Sequence, residues 1–381
     1  MASLELQAPG YANLHTSSNH GSPLVNLPTE LLVEIVKLLD SDPDARVSPL
    51  SLVNRALREL TIPTVFHTMQ LTTAENKLHE HIEDIEDNEF ILNSVVVMGI
   101  YSEGSSTKHT PSQSVHLTRG RNRNCKQGTA NALALLILNV RNLRDLRLDL
   151  RFRANTSLIG PLRRTFDKRY LMFSQVTALA FPMKTDLEFI PEVFPNLRAL
   201  SLELQKAPDV TPGVVYISRN LQLEYLELWK ASWNQADFDG MPDGFRNVTH
   251  LTMGGMMDFG GPNATMRSLA GAHRMLQQMP NLRVLAITNE KFSKHQTRNV
   301  KVFDRSCKMH RWVADTDVWT FHRSERLDDA WGMFDSVPSL EVVYIMDQFY
   351  NSHCFVPVKN KAGRAVDAKI ATGQETPWPL F

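Results

Sequence analysis

Leu197-Arg198-Ala199-Leu200-Ser201-Leu202 places apolar side chains in the order Φ-x-x-Φ-x-Φ, and Leu223-Glu224-Tyr225-Leu226-Glu227-Leu228 repeats the order 26 residues later. The same order stands at Leu143-x-x-Leu146-x-Leu148, Val176-x-x-Leu179-x-Phe181, Val248-x-x-Leu251-x-Met253, Leu282-x-x-Leu285-x-Ile287 and Leu340-x-x-Val343-x-Ile345. Two weaker copies come earlier, at Phe66-x-x-Met69-x-Leu71 and Leu92-x-x-Val95-x-Val97. The last two apolar positions of each copy alternate, as a strand with one buried face requires. Nine copies in one chain make an internal repeat the first hypothesis for its architecture.

The starting positions 66, 92, 143, 176, 197, 223, 248, 282 and 340 are separated by 26, 51, 33, 21, 26, 25, 34 and 58 residues. Four of these eight steps fall in the window of about 20–29 residues typical of leucine-rich repeats. Several copies follow a helix-like run that ends at a turn: Met266 to Met279 before Pro280-Asn281, Glu325 to Ser336 before Pro338-Ser339, and Thr129 to Val140 before Asn142. Helix, turn and strand in repetition build a solenoid. The chain resembles leucine-rich repeats in the strand half. It lacks the Asn or Cys that usually follows the strand, so the repeats resemble the irregular kind. The expected fold class is α/β, and the other architecture open to this pattern is a βα layer protein with a single parallel sheet.

Ahead of the repeats lie two apolar helical patterns. Pro28 suits the first turn of a helix, and Leu31, Leu32, Ile35, Val36, Leu38 and Leu39 follow at three- and four-residue steps. Ser48-Pro49 signals a second start, with Leu50, Leu52, Val53, Ala56, Leu57 and Leu60 behind it and Pro63 as its stop. So short a piece carries more apolar surface than it can bury by itself. The run Leu27-Pro28-x-Glu30-Leu31-Leu32-x-x-Ile35-x-x-Leu38, then Leu50-Ser51-Leu52-Val53-Asn54-Arg55-x-Leu57-Arg58-x-Leu60, resembles an F-box of the fungal style. Leu57 stands where many F-boxes carry Trp, and the linker after Asp40 is longer and more acidic than usual. The resemblance implies docking on a Skp-type adaptor, and through it on a cullin, with Leu27, Pro28, Glu30, Leu31, Ile35, Leu39, Leu52, Val53, Arg55 and Leu57 as the contacting residues.

Composition narrows the function classes. The 41 basic and 41 acidic residues cancel, which argues against a generally basic nucleic-acid binder. Charge is nevertheless uneven: 14 Lys/Arg against 4 Asp/Glu between Tyr101 and Tyr170, and 7 acidic residues against 1 Lys between Gln70 and Glu89. Cys125, Cys307 and Cys354 form no C-x-x-C pair, against a disulfide scaffold or a structural zinc site. No apolar run has signal-peptide or membrane-spanning length, so a cytoplasmic or nuclear location is expected. His79-Glu80-His81-Ile82-Glu83 has Glu where a zinc helix needs its second His, so an acidic solvated helix face is expected. Asp237-x-Asp239-x-x-x-Asp243-Gly244 lacks the Glu of a calcium loop and reads as a polar turn. Gly254-Gly255 and Gly260-Gly261 lack the Gly-Lys-Ser/Thr of a phosphate loop and read as a flexible loop. No catalytic signature, metal set or cofactor motif emerges, so the expectation is not an enzyme.

The expected organisation is a tail over 1–23, the F-box-like helices over 24–65, a leucine-rich-repeat-like solenoid over 66–358 with insertions at 101–128 and 288–335, and a fraying tail over 359–381. The second insertion is rich in aromatics, a residue class enriched at binding hot spots, which marks Trp312, Trp319 and Phe321 as candidate client contacts. The expected function is a substrate receptor of a Skp-cullin-F-box ubiquitin ligase. The alternative is a non-catalytic scaffold in which the N-terminal helices cap the solenoid.

Overall fold

The structure is a computed structural model and describes residues 27–41, 52, 55–74, 77–102, 122–152, 156–183, 188–204, 211–233, 237, 245–257, 275–288, 300–304, 309–313, 327, 329–346 and 352–371. The chain divides into two compact units, Met1–His67 and Thr68–Phe381. The first contains α1 (Thr29–Ser41) and α2 (Arg55–Val65). The carbonyl of Pro28 accepts from Leu31 at 3.0 Å and Leu32 at 3.1 Å, so the Leu-Pro signal does open a helix. Pro63 does not stop α2; it lies inside the helix, which runs to Val65. A proline one turn from the end forfeits a single bond and is tolerated there. Ser48, Pro49, Leu50 and Val53 lie outside the described residues.

The second unit is built on one sheet of eleven strands. β1 (Thr68–Thr73), β2 (Val97–Ser102), β3 (Asp145–Asp149), β6 (Ala178–Met183), β7 (Ala199–Leu204), β8 (Tyr225–Trp233), β9 (His250–Met257), β10 (Val284–Thr288) and β13 (Val342–Met346) lie side by side in chain order and all parallel. Parallel neighbours need crossover connections. The described ones include α3 (Leu78–Glu86) and α4 (Glu89–Ser94), then α5 (Asn122–Asn139), α6 (Ile159–Arg169), α7 (Ile190–Val193), α8 (Thr211–Asn220) and a further helix, α9, over 329–336. Two small hairpins, β4 (Arg151–Phe152) with β5 (Thr156–Ser157) and β11 (Val300–Asp304) with β12 (Met309–Val313), stand outside the main sheet.

The registers turn the sequence motif into two rows of side chains. Met69, Met98, Leu146, Leu179, Leu200, Leu226, Leu251, Leu285 and Val343 lie opposite one another along the sheet. Two residues on, Ile100, Leu148, Phe181, Leu202, Leu228, Met253, Ile287 and Ile345 form the second row. Both rows belong to one continuous core that also takes in the buried residues of α3, α5, α6 and α7. Each fully buried aliphatic side chain contributes about 1.5–3 kcal/mol. This strand-by-strand ladder makes the molecule a repeat array rather than an open α/β sheet with shuffled strand order.

The second repeat differs from its sequence reading. Met98 and Ile100 pair with Leu146 and Leu148, so the true copy is Val95-x-x-Met98-x-Ile100 and not Leu92-x-x-Val95-x-Val97. Leu92 instead belongs to α4. The consecutive valines 95 to 97 let the pattern match three residues early. With 95 as the start, the first two steps become 29 and 48 (95 − 66 and 143 − 95), and the first stays within the usual repeat window.

The turn before each strand is a second ladder. Arg144 N donates to Val96 O, Thr177 N to Arg144 O, Arg198 N to Thr177 O, Glu224 N to Arg198 O, Thr249 N to Glu224 O, Arg283 N to Thr249 O and Glu341 N to Arg283 O, at 2.8–2.9 Å. The asparagine missing after the strands is found before them. Asn142 donates its side-chain amide to Asn93 O at the end of α4 at 2.6 Å, and Asn196 and Asn281 donate theirs to Ser174 O and Arg246 O of the preceding turn at 2.8 Å each.

Three further expectations are corrected. The insertion assigned to 101–128 ends within α5, which begins at Asn122 and not at Thr129. Gln127 anchors its first turns by donating to Asn131 Oδ1 and to Thr165 Oγ1 of α6. The tail assigned to 359–381 is structured through 371. β15 (Ala365–Ala371) pairs antiparallel with β14 (Ser352–Lys359), itself antiparallel to β13, and closes the sheet. Its hairpin turns at Asn360, whose side chain accepts from Ala362 N and Arg364 N, with Gly363 at φ +79°. Gly254-Gly255 is not a loop but part of β9.

Candidate functional site

The helices of the first unit carry an apolar arc wider than the part that is covered. Leu32 and Val36 of α1 are buried, and Ile35 and Leu39 are half-buried. Leu31 and Leu38, one heptad apart on the same side, are 51% and 68% exposed, and Leu52 is 79% exposed. Pro28 and Glu30 are exposed and Leu27 is half-buried. Arg55 is exposed and donates to Glu59 at 2.8 Å. Leu57 is a correction: at 2% exposed it is a packing residue and offers no side chain to a partner. Val53 lies outside the described residues. Leu38, not among the expected contacts, shares the exposure of Leu31, and its place seven residues on was the available signal.

On the second unit the side chains between the two core rows point to the opposite face of the sheet. In register from β3 to β13 they run Asp145, Ala178, Ala199, Tyr225, His250, Val284, Val342, and two residues on Arg147, Ala180, Ser201, Glu227, Thr252, Ala286, Tyr344. The β3 end is polar. Arg147 holds Asp145 through Nη2 at 2.8 Å and Nε at 3.2 Å. The β8–β13 end is aromatic and apolar. Tyr225 and His250 stack at 4.3 Å between centroids, and Ala286, Tyr344 and Cys354 form a small buried cluster distinct from the main core. Burial, with the Arg283 guanidinium second, holds His250 below the usual histidine pKa. Burial and the neighbouring Cys354 push the Tyr344 phenol up to about 12.

Glu227 stands between these ends. Trp229 Nε1 donates to its Oε1. A Cβ on Gly254 would lie 1.9 Å from the Trp229 ring, so the indole occupies the space the glycine leaves. Burial raises the Glu227 pKa against the opposing pull of hydrogen bonds from Trp229 and Ser201. Past Trp229 the β8–β9 register slips by one residue. Gly255 adopts φ +113° there, and a Cβ on it would lie 1.6 Å from Lys230 O. The slip leaves Lys230 buried, with its Nζ on Asp237 Oδ1. Asp237, read from sequence as part of a polar turn, is thus a buried ion-pair partner; Asp239 and Asp243 lie outside the described residues. Trp312 sits on β12, its Cα opposite Lys301, while Trp319 and Phe321 lie outside the described residues. His79 and Glu83 of α3 approach to 3.3 Å on a helix whose Leu78 and Ile82 are buried. Among the described residues no three His, Cys, Asp or Glu side chains gather as a metal site, and no helix is long and apolar enough to cross a membrane.

No family profile matches the chain, and no curated protein matches it. Among solved structures it is similar to the leucine-rich repeat-containing protein LegL7 from Legionella pneumophila, with 12% identity, 82% of this chain and 91% of that chain covered, and a TM-score of 0.38. The repeat architecture rests on the chain's own strand ladder, not on that likeness.

Proposed function

We propose that the chain is the substrate-recognition subunit of a Skp-cullin-F-box type ubiquitin ligase, binding the adaptor through α1 and α2 and a client protein through the repeat array. The observation that carries this reading is the exposure of Leu31 and Leu38 on α1, beside the buried Leu32 and Val36, and of Leu52 ahead of α2. Exposed leucines in one small helical unit favour a partner that removes them from water, at about 1.5–3 kcal/mol each. The F-box-like residues around them, Leu27-Pro28 and Glu30-Leu31-Leu32, support an adaptor as that partner. The chain performs no chemistry in this reading. It holds a client beside a ubiquitin-conjugating enzyme, and proximity supplies the rate.

Co-purification with a Skp-type adaptor tests the reading. Leu31→Asp and Leu52→Asp should each weaken adaptor binding by roughly thirtyfold, or about 2 kcal/mol. Adaptor capture unchanged by both substitutions would leave the scaffold reading, in which the N-terminal helices cap the array and the chain is well behaved without any adaptor.

A further inference from the structure

The turns that lead into the strands form one edge of the array, and that edge is basic. Their backbone ladder sets the residues from Arg144 to Glu341 in a row, at one strand spacing of about 4.8 Å. Each turn from β3 to β13 contributes the two residues before its first apolar position and the one after it. These turns hold five arginines, Arg141, Arg144, Arg198, Arg246 and Arg283, and two glutamates, Glu224 and Glu341, a balance of 5 − 2 = +3 in a chain whose charges cancel overall. All five arginines are exposed. Each glutamate is already held by an arginine of the neighbouring turn, Glu224 by Arg198 at 3.2 Å and Glu341 by Arg283 at 2.7 Å. Arg141, Arg144 and Arg246 have no carboxylate partner among the described residues; Arg144 Nη1 donates to the carbonyl of Gln175 at 3.3 Å. The α3–α4 corner that precedes the row is acidic instead, with Asp87 and Glu89 exposed, so the basic stretch begins at β3.

Apolar surface is exposed beside this row. The connection from α6 into β6 lies between two of its arginines: Arg144, whose Nη1 reaches Gln175 O, and Arg198, whose backbone N–H reaches Thr177 O. In that connection Phe173 is buried, but Tyr170 is 93% exposed and Met172 59%. Lys168 and Arg169 just ahead of them are exposed as well. The neighbouring acids are Asp167 of α6, 3.7 Å from Arg163, and Glu192 of α7. Tyr170 also holds φ +51°, the left-handed conformation that closes α6. A glycine takes that conformation without strain and is the usual residue there. A tyrosine kept there at a cost, with its ring in water, points to a contact made outside the chain.

We propose that the turn edge from β3 to β10 binds an extended, acidic segment of the client protein, with carboxylates along the arginine row and an apolar side chain beside Tyr170 and Met172. This inference rests on the repeat array being the client-binding part of the chain and names the chemistry of that client. Five strand spacings, about 24 Å, match an extended segment of about seven residues. Glu224 interrupts the row. The evenly spaced phosphates of a nucleic acid would meet it, whereas a protein segment can place an uncharged residue there. Exposed charges of this kind act mainly on the rate of association and are screened by salt.

The test selects phage-displayed peptides, ten positions fully randomised, on the full chain at low salt. Enrichment of aspartate and glutamate around an apolar residue is expected. One exposed charge contributes little by itself, so Arg141→Ser, Arg144→Ser and Arg246→Ser are combined. A synthetic peptide of the selected sequence should bind this triple variant tenfold or more weakly. Raising the salt concentration about tenfold should weaken binding to the native chain by a similar factor and to the variant by much less. Tyr170→Gly should weaken the peptide several-fold while the thermal midpoint stays or rises, because the strain at φ +51° is gone. A lowered midpoint counts against the proposal by making Tyr170 a packing residue. Selection without acidic residues, or unchanged affinity in either variant, overturns the proposal. So does tighter retention of phosphatidylserine vesicles or single-stranded RNA than of any selected peptide, which assigns the edge to phosphates. Adaptor capture separates the two readings: the triple variant should keep the adaptor while losing the peptide, and the Leu31→Asp chain should keep the peptide while losing the adaptor.

Discussion

At the residue scale, the glycines of β9 show how a side chain can be shaped by its neighbour's absence. Trp229 lies flat because Gly254 has no Cβ, and Glu227 is held because Trp229 lies flat. Gly254→Ala should therefore cost about 1–3 kcal/mol, the usual range for overpacking. Gly255→Ala should cost more, because its φ of +113° and the approach of Lys230 O are both closed to a Cβ. Urea unfolding of the two variants checks the order. Glu227 also makes a prediction in pH. Its folded pKa is raised by burial, so the folded chain binds the proton more tightly than the unfolded one. The stability contributed by the protonated form is complete below the unfolded glutamate pKa and is lost as pH rises through the raised folded value. Glu227→Gln should thus be more stable than the native chain at neutral pH. The difference should close as pH falls below the ordinary glutamate range. A native chain equally or more stable at neutral pH would contradict this.

At the scale of elements, the repeats are joined by few kinds of bond used many times. Asn142, Asn196 and Asn281 each tie a turn to the preceding repeat. Replacing any one by Ala should cost about 1 kcal/mol. The three losses should add, because each bond lies in a different repeat with no shared partner. The Lys230–Asp237 pair behaves differently. Both side chains are buried, so Asp237→Ala should cost about 3–5 kcal/mol by stranding the ammonium, while Lys230→Met with Asp237→Leu should recover most of that loss. Much of this level was legible in sequence. The Φ-x-x-Φ-x-Φ copies at 143, 176, 197, 223, 248, 282 and 340 fall on the observed core rows, because an in–out period of two is a local property. The valine run at 95–97 was not legible, since a run of like residues carries no period.

At the scale of the molecule, a repeat array must protect its ends, and an edge strand is a template for unwanted pairing. At the C-terminal end that role falls to β15, which exposes Asp367 and Lys369 and covers β14. A chain ending at Lys359 should lose this cover over Cys354 and Phe355. Its thermal midpoint should fall, and it should associate in light scattering at concentrations where the full chain stays dispersed. The composition of β15, two alanines and three charged or β-branched residues among its first five, hid it from a reading based on apolar rows. The turn at Asn360 to Gly363 was its available signal.

Local periodicity by itself determined that this protein is a repeat of strand and connection, where most strands lie, which side chains enter the core, and that a leucine-rich pair of helices precedes them. These are consequences of side-chain order along a few residues. What stands beside what was decided only by tertiary structure: the register of Val95, Met98 and Ile100, the burial of Leu57 beside the exposure of Leu31 and Leu38, the indole laid over Gly254, and the buried carboxyl of Glu227 between Ser201 and Thr252. The register pairs among them join residues from 25 positions apart, as at Trp229 and Gly254, to 48, as at Met98 and Leu146, and no period in the intervening sequence encodes them.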